Sequence, residues 1–155
     1  MTNLAHWKQK LEWKKEGKGF LVSVTKHKRC DDNLWCIYLY IYPDHPTFDK
    51  FNKDGTMWDQ PHFDCHSYVS YFQPHVRHKT GDIASYQLGW DYNHDGDSYY
   101  TSIEDVEDAG SVFYDAEHLF KQASDLYNED EDSINASVAT CAYQMADAMI
   151  EARSK

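Results

Sequence analysis

The run Asp91-Tyr92-Asn93-His94-Asp95-Gly96-Asp97 carries the sharpest chemical pattern in this chain of 155 residues. Alternate Asp and Asn oxygens around a Gly bend form the front half of a calcium-binding loop. The twelfth residue of such a loop supplies a bidentate carboxylate, and here it is Ser102, with Glu104 two residues too late. Affinity in these loops follows ligand count and charge. The expectation is therefore a metal-free turn at Asp91, Asn93, Asp95 and Asp97, with calcium ligation as the alternative.

The nine histidines open a second chemistry, because imidazole is the commonest metal ligand and titrates near neutrality. His62, His66 and His94 together with Asp91 could hold a cation that activates water, as in a small metal-dependent hydrolase or phosphoesterase. If residues 62–72 form a strand, His62 and His66 stand about 13 Å apart, too far for one metal to bridge. Separation along the chain does not forbid a pocket assembled by the fold. His78-Lys79-Thr80 is a single H-x-T, whereas two-histidine phosphoesterases need two. No phosphate-cradling glycine loop and no G-x-S-x-G occurs. The sequence points away from an enzyme, and no cofactor is expected.

Charge is the next signal. The net charge is −11, yet residues 1–30 hold eight Lys/Arg against two Glu, and residues 91–132 hold fourteen acids against Lys121 alone. Such a field repels nucleic acid and attracts basic partners. The candidate contacts are Asp115, Glu117 and Asp125 on a helix and Glu129, Asp130, Glu131 and Asp132 in the loop after it. Twelve Tyr and five Trp add amphipathic contact area of the kind that interfaces favour. Tyr38 and Tyr40 share one strand face and are candidate contacts; the competing expectation packs that face beneath C-terminal helices. Cys30, Cys36, Cys65 and Cys141 form no CxxC pair and are expected to be reduced thiols.

The elements that must position these residues read as α+β. Leu4, Trp7 and Leu11 repeat at helical spacing and predict a short N-terminal helix ended by Gly17 and Gly19. Alternation predicts strands over 20–28, 34–42, 62–72 and 84–92, with Asp95-Gly96 turning the last into a fifth over 98–101. Apolar stripes predict a helix over 112–127 and another after Ser133. The result is one domain over 1–155, an antiparallel sheet of four or five strands with a short N-terminal helix and two C-terminal helices. No apolar run reaches the length of a membrane span, and residues 1–10 lack a signal-peptide core, so no membrane partner and a cytoplasmic location are expected.

Three runs, Gly19–Val24, Leu34–Asp49 and Gly89–Asp97, resemble a group of small phage and prophage proteins. The resemblance covers about half the chain and implies a phage origin. It further implies an acidic inhibitor, such as an anti-CRISPR or other anti-defence protein, that binds a host protein with a basic surface stoichiometrically in the host cytosol. A nucleic-acid mimic would fit that role, with no direct nucleic-acid binding of its own.

Overall fold

A computed structural model describes residues 11–93 and 96–126. Five antiparallel strands, β1 (Leu11–Gly17), β2 (Phe20–Arg29), β3 (Asp32–Ile41), β4 (Tyr71–Val76) and β5 (Ile83–Asp91), form one sheet in the order β1-β2-β3-β5-β4. A helical turn, α1 (Ser98–Thr101), precedes a helix, α2, that occupies residues 110–126. The fold is α+β, and among the described residues no helix is long and apolar enough to cross a membrane.

The alternation in β3 decides which face is the core. Trp35, Ile37, Leu39 and Ile41 are fully buried, and the register sets them beside Val22, Val24, Leu88 and Trp90. Burying one such side chain contributes roughly 1.5–3 kcal/mol. Helix α2 covers this face with Val112, Ala116, Leu119 and Ala123. Tyr38 and Tyr40 point to the opposite face, with Ser23 and Gln87 as cross-strand neighbours. The expected packing of the tyrosines beneath helices is thus not supplied by α2. The helix expected after Ser133, and the loop acids Glu129, Asp130, Glu131 and Asp132, lie outside the described residues.

Three elements differ from expectation. Leu11–Gly17 is a strand, where the sequence predicted the end of a helix; Leu4 and Trp7 lie outside the described residues. The glycines read as helix stops instead close a hairpin in which Gly17 pairs with Phe20. Gly19 takes φ 78°, and a Cβ there would come within 2.9 Å of the His45 backbone nitrogen. Pairing with β2 lets Trp13 stack on Trp35 at 5.7 Å and meet Phe113 edge-on at 5.4 Å. Local helical spacing loses to that burial.

The predicted strand over 62–72 begins only at Tyr71. Before it, Ser67 lies in the left-handed region at φ 63°, and the Asp64 backbone bonds to the Gln122 side chain instead of a neighbouring strand. The strand that does form contains Pro74, which lacks a ladder donor and is accommodated because β4 is an edge strand. The predicted fifth strand over 98–101 is α1, with the Tyr100 and Thr101 amides donating to the Asp97 carbonyl at 2.9 and 3.2 Å. The helical turn brings Tyr100 against Tyr92 at 4.6 Å and leads Ile103, only 4% exposed, into the core. Trp35 then donates from Nε1 to the Ile103 carbonyl at 3.1 Å.

His45 fastens the β3–β4 connection to α2. Its Nε2 donates to the Ala123 carbonyl at 2.9 Å, and its Nδ1 accepts from the Thr47 amide at 3.2 Å. The Nδ1 bond needs the neutral ring, since protonation would set a donor against the Thr47 amide, whereas the Nε2 bond persists in either state. Burial holds the His45 pKa below its ordinary value, against the smaller opposing pull of the Ala123 bond and Asp44. A group neutral in the fold and free to charge when unfolded contributes stability that is full above about pH 6.5 and declines as pH falls below it. The thermal midpoint is expected to drop between pH 7 and 5, and His45→Gln to flatten that drop. An unchanged pH profile in the variant would show that other groups control the acid limb.

Gly89 lies at the centre of the sheet, where an added Cβ would collide with the Ile37 carbonyl oxygen and the Tyr38 ring. Gly89→Ala is expected to cost more than about 2 kcal/mol in denaturant unfolding. Gly110→Ala, where a Cβ meets nothing within 4 Å, is expected to leave stability unchanged or raise it by up to about 1 kcal/mol.

Candidate functional site

Between the turn at Met57–Asp59 and the edge strand β4 the chain encloses a cleft of about 290 Å³. Local sequence builds its outer wall. Thr56 and Asp59 form a reciprocal capping box, the Thr56 amide donating to Asp59 at 2.7 Å and the Trp58 amide to Thr56 Oγ1 at 3.3 Å. Gln60 fastens the turn to the preceding loop, accepting from the Asn52 amide at 2.7 Å and donating to its carbonyl at 2.8 Å. These bonds hold Trp58 at the rim with 72% of its surface exposed.

The inner wall depends on long-range contacts. Gln122 on α2 accepts from the Asp64 amide at 2.7 Å and donates to the Asp64 carbonyl at 2.9 Å, imitating one rung of a β-ladder. The left-handed turn at Ser67 then sends His66 inward and Tyr68 outward. Tyr68 stacks on Trp58 with ring centroids 5.9 Å apart and is itself 45% exposed. Phe63, Phe72 and Leu88 form an apolar floor. Asp64, 73% exposed at its side chain, bonds to His62 Nε2 at 3.0 Å on the cleft wall.

Behind the cleft is a buried polar cluster. His66 Nε2 lies 2.7 Å from Asp97, which is only 5% exposed. The His66 ring stacks on Tyr92 at 4.6 Å and meets Tyr100 edge-on at 5.1 Å. Tyr92 donates to Asp115 at 2.6 Å, and burial, with that bond, drives its pKa far above the ordinary phenol value. Cys65, between cleft and cluster, is raised to about 11 by burial, with Asp64 and Asp115 adding to the effect. A thiol that stays protonated at neutral pH is a poor nucleophile.

The residues singled out in the sequence are dispersed over the fold. His62 bonds to Asp64 and His66 to Asp97, and among the described residues no group of three His, Cys, Asp or Glu is arranged to hold a metal. Asp91 accepts from the Asn93 amide at 3.2 Å, closing a local turn, and Asp97 is engaged by His66; His94 and Asp95 lie outside the described residues. Each helix acid has an internal partner: Asp115 takes Tyr92, Glu117 takes Lys15 at 2.8 Å, and Asp125 takes Lys121 at 2.6 Å. The latter two are exposed pairs worth about 0–1 kcal/mol. Tyr38 meets Tyr71 edge-on at 5.5 Å and Tyr40 stacks on His75 at 6.2 Å; burial raises both phenol pKa values.

Sequence reading missed Trp58 and its pairing with Tyr68. The Thr56-x-x-Asp59 spacing signals the cap that presents Trp58, but only the Ser67 turn and the Gln122 clamp bring Tyr68 to it. No protein family, no curated protein and no solved structure matches the chain.

The protonated state of Cys65 has a direct readout. At pH 7.5 its alkylation by iodoacetamide, followed by peptide mass mapping, is expected to be at least about tenfold slower in the folded protein than in the denatured chain. Equal rates would place Cys65 among reactive thiols.

Proposed function

We propose that the protein is a stoichiometric binding protein that engages a macromolecule with a basic surface, and that the aromatic rim of the cleft is the centre of the contact. The observation that carries this reading is the stacked pair Trp58 and Tyr68, held by backbone hydrogen bonds yet 72% and 45% exposed. Keeping a preformed aromatic surface in water forgoes burial in the monomer and spares a partner the cost of ordering it. The acidic balance of the chain beyond residue 30 supports a basic partner and a fast, salt-sensitive encounter. Together with the resemblance to phage proteins, this fits an inhibitor of a host macromolecule, of the anti-CRISPR or other anti-defence kind. Charge mimicry of nucleic acid belongs to the same reading, with Glu117 and Asp125 exchanging Lys15 and Lys121 for cations of the partner.

A metal-dependent hydrolase is the second reading, favoured by the 2.7 Å contact of His66 with Asp97, the spacing of a base and the group that orients it. The ring is enclosed by Tyr92 and Tyr100. Stoichiometric transition metal in protein purified without chelator, with phosphoester turnover lost in His66→Gln, would favour it.

The binding reading is tested by immobilising the protein, recovering host proteins and measuring affinity for the one retained. The double variant Trp58→Ala, Tyr68→Ala is expected to weaken binding at least about thirtyfold, as loss of a central aromatic anchor does. Reversing Glu117 and Asp125 is expected to slow association and flatten its salt dependence. Full affinity in the aromatic variant would move the contact to another face.

A further inference from the structure

We propose that the cleft beside Trp58 and Tyr68 receives one lysine or arginine side chain from a basic segment of the partner, its aliphatic stem on the apolar floor and its cationic head at the Asp64 carboxylate. This rests on the binding reading above and names the chemistry of its contact. The apolar lining suits methylene groups through the partly exposed Pro61, Val69 and Phe72, with Phe63 and Leu88, each 1% exposed, closing the base beneath them. The head group is set by charge: among the described residues lining the cleft, Asp64 is the one carboxylate, and neither lysine nor arginine accompanies it. Gln122 grips the Asp64 backbone through both amide and carbonyl, so the carboxylate is presented from a fixed point while remaining 73% exposed.

The rim supplies the second attraction. Trp58 and Tyr68 are 72% and 45% exposed, and a cation within about 6 Å of such a ring is drawn to its electron-rich face. An anionic side chain would meet Asp64 and the negative balance of the chain. A neutral apolar one would use the floor and leave the carboxylate without gain. The present partner of Asp64 is His62, itself 85% exposed at the side chain, so a lysine or arginine displaces a solvent-screened contact at small cost.

Calorimetric titration of the full chain with blocked glycine-serine peptides bearing a central arginine, lysine, norleucine or glutamate tests the assignment. The arginine or lysine peptide is expected to bind at least about tenfold tighter than the norleucine one, with the preference shrinking at high salt. Asp64→Asn is expected to remove most of the preference, leaving the part the rings supply, and Trp58→Ala to weaken the cationic peptide about tenfold. His62→Ala, which frees the carboxylate, is expected to strengthen it. All three side chains are exposed, and an unchanged thermal midpoint establishes that each variant is folded. Equal affinity for arginine, lysine and norleucine, tighter binding of glutamate, or full preference in Asp64→Asn overturns the proposal. If the retained host protein is lost by Trp58→Ala while the peptides show no cation preference, the cation assignment falls and the binding reading stands. If neither responds to Trp58→Ala, both fall.

Discussion

The whole fold depends on keeping one face of β3 dry. Trp35, Ile37, Leu39 and Ile41 are excluded from water, and no sheet can bury a face against itself while it stays open. The strands beside β3 extend that surface with Val22, Val24, Leu88 and Trp90, and α2 closes it from above. Beside α2, the segment over 47–70 adds Phe51 and Phe63 to the lid near β4. That segment has no helix or strand of its own beyond short turns, so its backbone groups must be satisfied piecemeal. The side chains of Gln60, Gln122, Asp59 and His45 do this by accepting from the Asn52, Asp64, Thr56 and Thr47 amides.

The same requirement creates the cleft. A lid held by side-chain clamps instead of a regular ladder is free to make turns that a strand forbids, and Ser67 makes one with φ 63°. Backbone in this region is costly for a residue with a Cβ and persists where surrounding contacts over-determine it. His66 on one side, engaged with Asp97 and enclosed by two tyrosines, and the Ser70 amide bonded to the Gly89 carbonyl at 2.9 Å on the other supply those contacts. The outcome is a rigid wall bearing one exposed carboxylate and two exposed rings.

Electrostatics is divided in the same way. The cluster acids, buried Asp97 and half-buried Asp115, are consumed by hydrogen bonds from His66 and Tyr92 and hold loops and α2 to the sheet. Three exposed acids, Glu117, Glu104 and Asp125, are paired with lysines that the sequence places early in the chain or one helical turn away, Lys15, Lys28 and Lys121. Exposed pairs contribute little to stability and are screened by salt.

What the sequence determined by itself was the part governed by period and turn chemistry. The alternation of β2, β3 and β5 and the stripe of α2 appear where side-chain spacing demands them, since each follows from contacts within a few residues. Tertiary structure decided what local spacing leaves open. Leu11–Gly17 joins the sheet because its partner β2 buries Trp13; residues 98–101 coil because Tyr100 and Ile103 reach the core only at helical spacing. The acids of α2 were legible as charge, but not as pairs with Tyr92 and Lys15, which lie 23 and 102 residues away. The cleft was legible only as the cap at Thr56, because the residues that complete it, Tyr68 and Gln122, are set by a strained turn and a clamp from a distant helix. Such contacts are made by chain closure, and no pattern within a short window encodes them.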